Sequence, residues 1–301
     1  MTLVLGNFDG VHSGHRAVLD RARELDPQAT IIAVTFWPHP AAVVRPDAPA
    51  PLLLSSLIDR ISLLRDAGAD DVKVVDFTPD LAALTPREFV ESELLPLHPS
   101  RIVVGENYRF GHKASGDVAT LAALGKGPDA VGDYEVTALP LLGDGTSTTC
   151  STTIRALLTA GEVEEAAEHL GRPFRFSGTV VKGFQRGREL GFPTANLPVP
   201  VGRAVPADGI YAGWVRRTDS ETAELWPAAI SVGTNPTFDD VEATVVEAHV
   251  LDRDDLELYG VPLVVDFVKR LRGNVKFDGL DELMAQIGRD VDESRRVLGL
   301  G

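Results

Sequence analysis

From the N-terminus to about residue 170, short apolar runs alternate with longer stretches of helical spacing. "TLVLG" reads as a strand, "HRAVLDRARELD" as a helix and "TIIAVTFWP" as a second strand. "LSSLIDRISLLRDAGA" repeats apolar residues at spacings of three and four, which predicts a helix ahead of the strand "DVKVVDF". "TPREFVESELLPLH" and "RIVVGENY" give the next helix and strand. Nearly all-apolar strands that alternate with helices predict βαβ units and a parallel sheet covered on both faces. "STTIRALLTAGEVEEAAEHLG" then supplies helices rather than a flexible linker.

The texture changes after "GRPFRFSG". "GTVVKG", "GIYAGWVRRT", "WPAAISVG", "ATVVEAHVLD" and "LVVDFVKRLR" are short strand-like runs separated by Gly, Pro and Asp. Consecutive strands without crossover helices predict an antiparallel sheet or small closed barrel, with the final helix "LDELMAQIGRDVDESRRVL" packed outside it. The expected organisation is an α/β Rossmann-like domain over residues 1–168, then a small antiparallel β-barrel domain with a C-terminal helix over 169–301.

Composition narrows the chemistry. A formal net charge of −15 argues against a general affinity for nucleic acid or anionic membrane. It leaves room for a phosphate-bearing ligand held by backbone N–H groups and a few basic side chains. The single cysteine, Cys150, excludes an intramolecular disulfide and a cysteine zinc site. No run approaches the roughly 20 apolar residues that span a bilayer. The start "MTLVLGNFDG" lacks the basic and apolar regions of a secretion signal, so a cytoplasmic location is expected.

Two stretches carry candidate chemistry. "GNFDGVHSGH" (6–15) follows the first strand and opens the first helix, where ligands bind in an open parallel sheet. Its glycines allow close backbone approach to a phosphate, and the helix N-terminus adds N–H donors. His12 and His15, at i and i+3, share one face of the first turn and can donate to phosphate oxygens. One helix-capping or packing histidine plus one incidental one is the competing account. In the second half, "GTVVKGFQRGRELGFPTANLPVP" (178–200) interleaves Gly183, Gly187 and Gly191 with Lys182, Arg186 and Arg188. That composition suits a loop over a polyphosphate, or a solvated basic turn. Thr194 and Asn196 offer oxygens two residues apart on one side of a strand, a donor type that suits Mg²⁺.

Four segments of the first half, in order, resemble the adenylyltransferase half of bacterial bifunctional riboflavin kinase/FAD synthetases. They are "GNFDGVHSGH", "TFWPHP" (35–40), "GENYRFG" (105–111) and "STTIR" (151–155). Trp37 stands where that family usually has a small acidic or polar residue. "GRELGFPTAN", "PADGIYAGWV", "ISVGTNPTF" and "VEAHVLD" resemble the family's riboflavin kinase half. The resemblance implies a nucleotidyltransferase domain that makes FAD and pyrophosphate from FMN and ATP, and a barrel that makes FMN from riboflavin and ATP. It implies that His12, His15 and Arg155 contact the ATP phosphates, with Gly6, Phe8, Gly10, Gly14, Ser151 and Thr152 around the nucleotide. Asp9 is read as orienting the loop. Asn107, Pro38, His39, Tyr108 and Phe110 are implied to lie near FMN, although the last two rings also suit a core. In the barrel it implies Lys182, Gly183, Gly187 and Arg188 at ATP, Thr194 and Asn196 at Mg²⁺, Glu247 as base, and Arg272 and Phe277 near the flavin. A kinase with an impaired adenylyltransferase half and a non-catalytic flavin-sensing module remain as alternatives. The expected state is a monomer or weak homo-oligomer.

Overall fold

The computed structural model describes residues 1–140, 149–183, 191–219, 224–236 and 242–300. They divide into two compact units, Met1–Ser151 and Thr152–Gly301. In the first, β1 (Thr2–Leu5), β2 (Ile31–Trp37), β3 (Asp71–Asp76), β4 (Arg101–Gly105) and β5 (Glu135–Leu139) form one parallel sheet in the order β3-β2-β1-β4-β5. β1 is central and buried at all four residues, which is why its sequence is uniformly apolar. The strand order reverses beside it, so the loop leaving β1 opens at the topological switch point. Helices α1 (Ser13–Leu25), α2 (Pro40–Val44), α3 (Leu57–Asp66), α4 (Pro79–Ala83), α5 (Pro86–Phe89) and α6 (Val118–Gly125) connect the strands. A reciprocal capping box between Ser56 and Asp59 starts α3.

Two expectations for this unit need correction. The helix expected over "TPREFVESELLPLH" is broken: α5 gives way to a π-helical turn, Val90–Leu94, and a 3₁₀ turn, Leu95–Leu97. Pro96 has no N–H to continue the helical ladder, and the Leu95 N–H reaches back five residues to Val90. Strand β5 was not anticipated because "EVTAL" is an edge strand, half polar and only partly buried.

Helices α7 (Ser151–Ala160) and α8 (Val163–Leu170) precede the second unit's sheet, whose order is β6-β11-β8-β9-β10-β7 with every pairing antiparallel. Its strands are β6 (Phe174–Thr179), β7 (Ala195–Pro198), β8 (Gly209–Arg217), β9 (Trp226–Pro236), β10 (Glu242–Val250) and β11 (Pro262–Arg272), and α9 (Leu280–Val297) follows. The strand expected over "GTVVKG" is displaced. Pairing with β11 ends at Thr179, and Val181 then bridges to Asn196 of β7. The chain thus leaves one edge of the sheet for the other, which nearly closes the barrel; Leu197 lies against Gly178 across the gap. Phe174, Phe176, Tyr211 and Phe267 fill the interior.

Candidate active sites

In the first unit, the segment Phe8–Val11 carries φ values of 52° at Phe8, 82° at Gly10 and 42° at Val11. Left-handed backbone at non-glycine residues costs energy and persists only where surrounding contacts enforce it. Those contacts come from Asp9. Its carboxylate is buried and accepts from the Leu54 and Ser55 N–H groups and the Ser55 hydroxyl, each at 3.1 Å. The Gly10 N–H in turn donates to the Ser55 hydroxyl at 3.1 Å. Behind Asp9 lies Arg60, fully buried and 3.4 Å from its carboxylate. Arg60 also donates to the Phe36 carbonyl at 3.2 Å and lies over the Trp37 ring at 5.5 Å. One interior cation therefore ties the phosphate-type loop to the end of β2, from which Pro38-His39-Pro40 departs. Trp37 is the flat surface under that cation.

His12 occupies the N-cap position of α1 in extended backbone without a capping bond from its side chain, and His15 follows in the first turn. Their rings stack at 3.6 Å between centroids, 20° from parallel. Phe8 meets His15 edge-on at 5.1 Å. Burial first, then the His12 and Arg60 charges, hold the His15 imidazole well below its ordinary pKa, so it is neutral near pH 7. Its buried Nδ1 has no hydrogen-bond partner among the described residues. Gly14 lies so close to the His12 ring that an added Cβ would sit 3.2 Å from it. Ser151, at the start of α7, donates its hydroxyl to the Asp9 carbonyl at 2.9 Å, which places Ser151 at the loop. Thr152 and Arg155 continue that helix in the second unit, Arg155 one turn beyond Ser151.

His12, His15, Phe8 and Ser151 border a cavity of about 820 Å³. One part is lined by Gly6, Phe8, Gly14, both histidines and Ser151; another by Phe77, Leu81, Phe89, Asn107, Tyr108 and Phe110. The volume is within the range of ordinary small-molecule ligand sites. Phe110 is buried in the core and faces Tyr108 at 5.7 Å, 18° from parallel, so these rings serve core and cavity together. His39 accepts the Ala41 N–H at 3.1 Å and caps α2, whose Pro40 reaches the cavity. Arg60, Ser55, Phe77 and Leu81 escaped sequence reasoning. Arg60 had one readable signal: with Leu63 and Leu64 it occupies the apolar face of α3, where a charge needs a buried partner.

The second unit builds its site differently. Along β10, Val246, Ala248 and Val250 point into the barrel, so Glu247 and His249 stand on the outside. Glu247 pairs in register with Asn196 of β7. The Thr194 hydroxyl donates to the Glu247 carboxylate at 3.4 Å, and the Asn196 amide donates to the Thr194 hydroxyl at 3.3 Å. The three predicted residues thus form one cluster. Gly183 passes so near that a Cβ there would lie 2.6 Å from the Asn196 Oδ1, so a larger residue would displace that amide. Lys182 beside it is exposed; Gly187 and Arg188 lie outside the described residues. His249, unremarked in the sequence, holds the Pro193 carbonyl at 2.8 Å. A cavity of about 160 Å³ runs from Gly183, Thr194 and Asn196 to Arg253, Asp255 and Tyr259.

Hydroxyl, amide and carboxylate oxygens are the donor chemistry of a hard divalent cation, and the glycine cradle keeps their approach open. Arg272 and Phe277 lie elsewhere in this unit. The Arg272 guanidinium makes a 2.6 Å ion pair with Asp290 of α9, donates to the Gly273 carbonyl at 3.0 Å and lies over the Phe277 ring at 5.9 Å.

The FAD synthetase family model matches residues 1–153, and the riboflavin kinase (flavokinase) model matches residues 170–298. A bifunctional riboflavin kinase/FMN adenylyltransferase of Listeria monocytogenes is 35% identical, covering 97% of this chain and 91% of the relative. One from Escherichia coli K12, of the same description, is also 35% identical, over 99% of this chain and 93% of the relative. The chain belongs to the bifunctional riboflavin kinase/FMN adenylyltransferase family. Both enzyme modules are present, in that order, on the two units just described. A solved structure from Streptococcus pneumoniae, described as a macrolide-efflux protein, is 31% identical with a TM-score of 0.84 and covers 98% of this chain and 93% of that one. Among the described residues of the present chain, no helix is long and apolar enough to cross a membrane.

Proposed function

We propose that each unit carries out its step with the side chains gathered above. In the barrel, Glu247 accepts the proton of riboflavin's 5′-hydroxyl as that oxygen attacks the γ-phosphorus of ATP, giving FMN and ADP. The Thr194 hydrogen bond orients the carboxylate for this role. Thr194 and Asn196 would hold Mg²⁺, and Lys182, Gly183, Gly187 and Arg188 would border the ATP phosphates. The ion supplies charge neutralisation at those phosphates when bound. Arg272 and Phe277 would border the flavin; the Asp290 pair fixes the arginine in place.

In the α/β unit, the FMN phosphate attacks the α-phosphorus of a second ATP, giving FAD and pyrophosphate. His12 and His15 donate to the phosphate oxygens as charge builds, joined by Arg155, with Gly6, Phe8, Gly10, Gly14, Ser151 and Thr152 around the nucleotide. Pro38, His39, Asn107, Tyr108 and Phe110 would border FMN. One observation carries this reading: a single cavity has stacked histidines in its lining and an aromatic wall beyond them. Use of ATP at both sites supports action in the cytoplasm, and the acidic net charge argues against nucleic acid and anionic membrane as partners; the chain would act as a monomer or weak homo-oligomer. The test is product analysis from riboflavin and MgATP. FMN should appear first and FAD after it; FMN without FAD would overturn the adenylyltransferase assignment, and neither product would overturn both.

A further inference from the structure

We propose that Arg45 and Lys113 form an electrostatic entrance to the cavity of the α/β unit, one that captures phosphorylated flavin from solution. The inference rests on reading the 820 Å³ cavity as the FMN site, and it concerns two residues without a part in the chemistry above. The chain carries 44 acidic and 29 basic side chains, so an anionic ligand approaches a repulsive surface. The lining of this cavity departs from that composition. Arg45, Arg109 and Lys113 border it, and among the described residues no Asp or Glu does. The cavity of the barrel, by contrast, is bordered by Asp254, Asp255 and Glu257 as well as Arg253. Cations elsewhere on the chain are commonly paired, as at Arg21, Arg87 and Arg217. Arg109 is likewise 3.6 Å from Asp117, which offsets its charge. Arg45 and Lys113 have neither an ion pair nor a side-chain hydrogen bond among the described residues.

The fold holds both in place. Arg45 ends α2, Lys113 lies in the turn His112–Ala114, and α4 packs against both elements. Asp80, the carboxylate of α4, is not part of the cavity lining. Lys113 and Ala114 have left-handed backbone, with φ of 52° and 55°, which persists only where contacts enforce it. Here Phe110 and Gly116 exchange backbone hydrogen bonds at 3.1 and 2.9 Å, and the His112 N–H donates to the Leu84 carbonyl at 2.7 Å. Both cations are exposed, and that decides how they act. An exposed charge contributes little as a direct contact, but its field extends roughly 10 Å at 0.1 M salt. Rim charges of this kind govern encounter and its salt dependence. Riboflavin carries no charge for them to attract, so the entrance favours FMN.

The experiment measures FAD formation from FMN at saturating MgATP, with full-length protein throughout. It compares the parent with a neutral pair, Arg45→Gln with Lys113→Gln, and a charge-preserving pair, Arg45→Lys with Lys113→Arg. Asn107→Ala serves as the control for the flavin site. The neutral pair should lower kcat/KM for FMN roughly three- to tenfold at low salt, and added KCl should affect it less steeply than the parent. The charge-preserving pair should match the parent, because a field depends on charge and not on donor geometry. The inhibition constant of lumiflavin, the same ring without a phosphate, should be equal in all three. Parental kcat/KM and salt slope in the neutral pair, with a raised KM for FMN in Asn107→Ala, would overturn the proposal and leave the flavin site standing. Parental values in both would overturn the site reading and the proposal with it. A loss in the charge-preserving pair equal to that in the neutral pair would show a contact of fixed geometry. Weaker lumiflavin inhibition in the neutral pair would show a contact with the ring, and either result would overturn the proposal.

Discussion

In the α/β unit, the phosphate-type loop is held from inside the fold, by a carboxylate and a guanidinium that water does not reach. In the barrel, Thr194, Asn196 and Glu247 stand on the outer side of strands whose alternate residues make the core. The first site is thus an extension of the interior, with two non-glycine residues, Phe8 and Val11, in left-handed backbone that the surrounding contacts maintain. The second follows from strand periodicity, which presents every other side chain outward at no cost to packing. Damage to the first site should spread into stability, whereas damage to the second should stay chemical.

The largest effect is expected at Glu247. Glu247→Gln keeps size and outward position but removes the proposed proton acceptor. FMN formation should fall by roughly 10²- to 10⁴-fold, while conversion of supplied FMN to FAD and the unfolding transition of the barrel stay at parental values. A matching loss of barrel stability would break the contrast between the two sites.

Asp9→Asn comes next, and here the interior should respond. Stripping the buried Arg60 of its counter-charge should cost the first unit about 3–5 kcal/mol. Hydrogen exchange should locate the loss in β1 and β2, with FAD formation falling and riboflavin phosphorylation unaffected. An unchanged exchange pattern would show that the loop does not depend on the buried pair.

The smallest effect is the titration of His15. Its pKa in the folded protein lies below the ordinary value of about 6.5, because burial and the His12 and Arg60 charges disfavour the cation. Between those two values the unfolded chain binds a proton that the folded protein refuses. The neutral ring's contribution is therefore fully present above about pH 6.5 and is lost as pH falls through the folded value. NMR of the His15 ring should show a midpoint below 6.5, rising when ATP brings phosphate charge beside it. A midpoint at or above 6.5 in the free protein would contradict the buried geometry.

How legible each site was follows from the same contrast. Parallel strands such as β1 and β2 were readable because burial on both faces demands unbroken apolar runs. Glu247, Thr194 and Asn196 were readable because local motifs single them out, and the strand pairing then brings them together. The Asp9–Arg60 pair was not readable as a pair, because 51 residues separate its members and no periodicity links them. The π turn at Val90–Leu94 escaped because apolar spacing continues through it while the hydrogen-bond ladder changes. His249 could have been found by extending the alternation from Glu247 by two residues.

On the proposed reading, the chain holds two separable sites, one dependent on His15 and the other on Glu247. Full-length His15→Ala and full-length Glu247→Gln should each fail to turn riboflavin and MgATP into FAD, the first stopping at FMN and the second at riboflavin. Mixed in one vessel they should restore FAD, because FMN released by one chain is adenylylated by the other. A mixture that still yields no FAD, with each chain folded and its remaining partial reaction intact, would contradict the account.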